Sequence, residues 1–100
     1  MNSTPAKLPG EDIVREGLDD LAHDRLTDFA LLVLIASPRL RGLGLEIPER
    51  KTDVPFEHQL YSRLEERWGA GAHSQYNALI RRIVSFARSL EREQRLPRPG

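Results

Sequence analysis

An all-α fold is the expectation for this chain. Apolar residues recur every three or four positions over long stretches, proline, glycine and capping residues separate those stretches, and a length of 100 residues allows one core. The expected architecture is a small bundle of three main helices, at about residues 11–36, 54–68 and 75–95, plus a short helical turn near 38–42. Residues 11–95 form a single helical domain in this reading, residues 1–10 a flexible N-terminal arm and 96–100 a flexible tail, because Pro5, Pro9, Gly10, Pro97 and Pro99 do not propagate a helix.

The first helix is read from Val14, Leu18, Leu21, Ala22, Leu26, Phe29, Val33 and Ala36, which share one helical face. Glu11 and Asp12 suit its first turn, where the dipole favours negative charge, and Ser37-Pro38 supplies its stop. Such a helix is roughly 39 Å long, long for this domain, and residues 23–27 are where it would break; it is taken as one helix. Its second half, 29–36, is apolar all round and reads as the central post of the core, packed between the two later helices. A membrane span takes about 20 apolar residues, so no membrane partner is expected.

Ser37 is placed as an N-cap with Pro38 at the first helical position, and Gly42 and Gly44 end that turn. The connection that follows carries Pro48 and wraps the core, with 43–47 as a short extended segment. Asp53 is placed as the cap of the next helix, whose stripe is Phe56, Leu60, Leu64 and Trp68 with Tyr61 beside it. After Gly69, Ser74 is placed as the N-cap of the last helix, with Tyr76, Leu79, Ile80, Ile83, Ala87 and Leu90 on its core side.

Fifteen basic and fifteen acidic residues cancel, so bulk charge does not steer the chain toward nucleic acid or an anionic membrane. Distribution is more telling. Residues 1–49 hold five basic and nine acidic groups, a sum of −4, and residues 50–100 hold ten and six, a sum of +4. Absence of cysteine excludes disulfides, thiolate metal sites and a cysteine nucleophile. A start without a long apolar stretch behind basic residues makes the cytoplasm the expected compartment.

Two stripes are the candidate contact surfaces. On the last helix, Arg81, Ser85, Arg88, Arg92 and Arg95 fall within about 40° of one direction, opposite the apolar side, with Glu91 and Glu93 off that axis. A row of guanidinium groups suits phosphates or an acidic protein surface, although cations near a helix C-terminus also describe an ordinary solvated face. On the first helix, Asp12, Glu16, Asp19 and Asp20 cluster opposite the apolar stripe. The two stripes would complement one another between copies of the chain.

Three function classes follow. The first is a non-enzymatic binding module, an adaptor, inhibitor or regulatory subunit that contacts another protein or a second copy of itself. The alternative is nucleic-acid binding, through the arginine stripe or through a helix-turn-helix in which Ser74, Gln75, Asn77 and Arg81 reach base edges; the connection at 69–73 is long for that motif. The third is a small hydrolase or metal-dependent enzyme built from His23, His58 and His73 with Asp24, Asp28 and Glu57, although no pair has a metal-ligand spacing. Gly42-x-Gly44 and Gly69-x-Gly71 read as turns rather than a phosphate loop, and no cofactor is implied. Trp68 and Tyr76 flank the last turn and, by helical spacing, belong to the core.

Overall fold

In the computed structural model, which describes residues 8–95, the chain forms α1 (Glu11–Ala22), α2 (Asp28–Ile35), α3 (Ser37–Gly42), α4 (Phe56–Trp68) and α5 (Ala72–Arg95), with a 3-10 turn at Gly69–Gly71. The described residues contain no strand, and the fold is a small all-α bundle. Of the expected arm and tail, residues 1–7 and 96–100 lie outside the described residues. Leu8 already packs against the core, and its N–H donates to Glu11 Oε1 at 3.0 Å.

α2 stands at the centre. Asp28 is its one polar residue, and Ala30, Leu32 and Val33 are fully buried, so every direction around the helix is occupied. α1, α4 and α5 all contact it, and truncating a leucine buried this way costs about 2–5 kcal/mol. The central post is therefore found where the apolar run places it, but with α1 covering it as well as the two later helices.

The expected single helix over 11–36 is broken into two. α1 ends at Ala22, and Asp24 turns left-handed at φ 60°. That turn lets the Asp24 N–H reach Leu21 O at 3.0 Å and the Arg25 N–H reach Asp20 O at 2.8 Å, which satisfies carbonyls the last turn would leave open. Thr27 then caps α2, its hydroxyl accepting from the Ala30 N–H at 3.2 Å. Periodicity runs through the break because the apolar residues on both sides of it face one core. A helix without a polar face has no phase to betray the change of direction.

Other boundaries shift for local reasons. Ser37 is the first residue of α3 rather than its cap, since only Ala36 separates α2 from α3. Asp53 caps nothing: Pro55 holds the chain extended up to Phe56, and the Thr52 hydroxyl is engaged with the Val54 N–H. α5 begins at Ala72, so Ser74 lies inside its first turn. No strand forms at 43–47; Leu43 and Leu45 pack on the core, Ile47 is buried, and Arg41 donates to the Ile47 and Pro48 carbonyls. Trp68 is 52% exposed, against its expected core position. Successive steps of four residues rotate about 40° each around a helix, so a stripe that starts at Phe56 and buries Leu60 and Leu64 has left the core side by Trp68.

Two glycines allow close approaches. A Cβ on Gly10 would sit 2.5 Å from Arg82 O, where the start of the described chain crosses α5. One on Gly17 would sit 2.6 Å from both Phe29 O and Val33 Cγ2, so α1 and α2 cross at backbone contact. No helix among the described residues is long and apolar enough to cross a membrane.

Gly17→Ala raises helix propensity by about 1 kcal/mol but forces α1 off α2, an overpacking that costs about 1–3 kcal/mol. The expected net result is a lower midpoint in urea denaturation; a midpoint at or above that of the native sequence would show that the crossing is not limited by this contact.

Candidate functional site

Side-chain partners of the arginines separate structural cations from available ones. Of the twelve arginines among the described residues, eight form ion pairs: Arg15 with Glu11, Arg25 with Asp20 and Asp19, Arg39 and Arg95 with Glu91, Arg50 with Asp24, Arg63 and Arg67 with Asp28, and Arg82 with Asp12. Arg41 is held by the Ile47 and Pro48 carbonyls. That leaves Arg81, Arg88 and Arg92, which are exposed and have neither a carboxylate nor a carbonyl partner among the described residues.

All three stand on one line of α5. Ile83, Phe86 and Ala87 are buried on the opposite side of the helix, which turns the arginine face outward. From Arg81 to Arg92 the axis rises roughly 16 Å, with Ser85 exposed between them. Arg95, the fourth expected member, donates to Glu91 Oε2 at 2.9 Å, one helical turn back. The row expected from the sequence is therefore present with three free members rather than four.

The acidic stripe of α1 is more fully occupied. Asp12 lies 3.4 Å from Arg82, so the acidic helix and the basic helix already meet within one chain. Asp19 is 3.6 Å from both His23 and Arg25. Asp20 is not a surface residue at all: it is 7% exposed and accepts from the Thr27 hydroxyl and from Arg25 Nε and Nη2. The hydrogen bond from Thr27 is the main cause that holds its carboxyl below the usual carboxylate range; burial opposes this and Arg25 adds to it. Glu16 alone remains exposed without an ion pair among the described residues.

The helix-turn-helix residues are divided. The connection between α4 and α5 is the three-residue turn Gly69–Gly71, shorter than the sequence suggests. Ser74 and Arg81 are exposed, but Gln75 and Asn77 are half-buried, and the Asn77 side-chain amide bonds to the His73 ring at 3.1 Å. Tyr76 packs on Tyr61 with ring centroids 5.5 Å apart, and burial, followed by the charge of Glu57, pushes its hydroxyl pKa up. Trp68 is the exposed aromatic of this end.

The acid-base set does not assemble. His23 Nδ1 lies 2.8 Å from Asp19 O, His73 bonds to Asn77, and Asp24 and Asp28 are taken by arginines. Among the described residues no group of three histidine, aspartate or glutamate side chains is placed to hold a metal ion. Compared with known proteins, the chain matches no family model, no curated protein and no solved structure.

Because the Asp20 carboxyl pKa is depressed in the folded chain, its contribution to stability is present above the unfolded value of about 4 and is lost as pH falls through the folded value. Asp20→Asn is expected to lower the melting temperature at pH 7 and to do so progressively less below pH about 4. Calorimetry across that range checks the sign, and a difference that grows on acidification would contradict the assignment.

Proposed function

We propose that this chain is a non-enzymatic binding module, an adaptor, inhibitor or regulatory subunit acting in the cytoplasm, that docks an acidic surface of another protein on Arg81, Arg88 and Arg92. The observation that supports it is the selectivity of the pairing: the arginines left without an acceptor among the described residues share one outward face of α5. An arginine row held on a rigid helix presents planar donors at set spacing, which suits carboxylates on a partner and favours orientation and association rate over raw affinity.

Two considerations favour a different protein as the partner. Asp12 and Asp19 already face arginines of the same chain, which leaves Glu16 as the available acid of α1 and weakens the case for a second copy. Three cations would also give a duplex a salt slope of only about −2.7 in log affinity, where proteins that grip six to ten phosphates depend on salt far more steeply.

A second reading, nucleic-acid binding, keeps one specific observation in its favour. The short turn Gly69–Gly71 sets α5 directly after α4, with Ser74 and Arg81 exposed along the same helix.

The two readings separate in an affinity capture from the native host. The expected partner survives nuclease treatment, elutes as salt rises, and is lost when Arg81, Arg88 and Arg92 are all replaced by alanine, while Arg15→Ala retains it. Alanine raises helix propensity, so circular dichroism of the triple variant should match that of the native sequence. Equal capture by the triple variant would remove the proposal, and material that disappears with nuclease would transfer the row to the nucleic-acid reading.

A further inference from the structure

The connection 43–55 does more than cover the core. Beneath it lies a cleft of about 260 Å³ whose wall combines apolar and cationic groups from α2, α3, α4 and the connection itself. Leu34 of α2 and Phe56 of α4 supply the apolar side, and Arg41, Arg50 and Lys51 supply the cations. Glu49 also lines it, and no residue of α5 does, so the cleft is independent of the arginine row.

The polar groups here are only partly used. Arg41 engages the strap carbonyls through Nε and Nη2, which leaves Nη1 free. Arg50 gives Nη2 to Asp24, and its remaining guanidinium N–H groups have no acceptor among the described residues. Lys51 is exposed and has no ion pair among the described residues. Three cations set against Glu49 and Asp24 leave a local sum of +1.

Ser37 is the decisive member. It is 7% exposed, lines the cleft and makes no side-chain hydrogen bond among the described residues. No sealed side-chain polar atom in the described residues lacks a partner, so this unbonded hydroxyl keeps access to solvent at a residue that lines the cleft. An unpartnered hydroxyl, a free guanidinium edge, a lysine and an apolar wall have one ligand chemistry in common. We infer that the cleft binds a small organic oxyanion, a phosphate or carboxylate that carries an apolar group, with its charge toward Arg41, Arg50 and Lys51 and its apolar part against Leu34 and Phe56.

Nuclear magnetic resonance titration of the full chain tests this, with phenyl phosphate as probe, benzoate as the carboxylate arm, inorganic phosphate as the arm without an apolar group, and phenol as the uncharged one. Phenyl phosphate is expected to give saturable shifts at the amides of Ser37, Arg41, Arg50 and Lys51, phenol none. Burying about 60 Å² of the ring makes phenyl phosphate bind about tenfold tighter than inorganic phosphate. Benzoate against phenyl phosphate ranks the two headgroups.

Lys51→Ala, at an exposed position, should weaken binding about tenfold, and Ser37→Ala about fivefold, while Arg88→Ala changes nothing. The inference is overturned by an absence of saturation with phenyl phosphate, by shifts centred on Arg81, Arg88 and Arg92 instead, or by native affinity in both Lys51→Ala and Ser37→Ala. The first and third of these outcomes leave the capture of a partner protein by α5 untouched.

Discussion

A helix with no polar side cannot lie on a surface, and α2 is such a helix. Its backbone groups are met within the helix and by the residues that flank it, but its apolar side chains point in every direction, and enclosure is the only arrangement that removes them from water. The rest of the chain is deployed to that end. α1 approaches from one side at backbone contact through Gly17, α4 lays Leu60 and Leu64 on another, and α5 contributes Ile83, Phe86 and Ala87. The fold is compact around that short post and elongated, 51 × 28 × 25 Å, because α5 with its 24 residues is much longer than what it covers.

The two carboxylates that bracket the start of α2 convert this enclosure into a defined geometry. Asp20, near the end of α1, receives the Thr27 hydroxyl and the Arg25 guanidinium across the corner. Asp28, in the first turn of α2 where the dipole favours it, holds Arg63 and Arg67 of α4. One acid therefore sets the angle between α1 and α2 and the other the angle between α2 and α4. The burial of α2 drives folding, and these contacts, made by two largely buried carboxylates to half-exposed arginines, hold its orientation.

Neutrality overall conceals a local surplus. Several carboxylates are committed to particular arginines, Asp28 to two of α4, Asp24 to Arg50 and Glu91 to Arg39 and Arg95, and none of these pairs reaches Arg81, Arg88 or Arg92. What remains is a cationic line on the outer face of α5 and a second cationic group under the connection that follows α3. The two are built differently. The first is a regular helical row open to solvent; the second is a cleft that combines the connection with residues of α2, α3 and α4 and an unpartnered hydroxyl.

Helical periodicity determined the all-α class, the buried run in 29–36, the core residues Leu60, Leu64, Ile83 and Ala87, and the line formed by Arg81, Arg88 and Arg92, since residues three, four and seven apart share a face whatever surrounds the helix. Other features required contacts between distant positions. The break at 23–27 depends on a left-handed Asp24 and on Asp20 reaching Thr27, and apolar spacing continues straight across it. Asp20 has the local look of a surface acid and is buried because α2 folds back over it; Trp68 has the local look of a core residue and is exposed because its stripe has rotated past the last neighbour. The cleft of Ser37, Arg41, Arg50 and Lys51 had no sequence signature, since a strap without periodicity carries half of it. Periodicity records which side of a helix is apolar, whereas the partner of each charge and the depth of each side chain are set by where the other helices end.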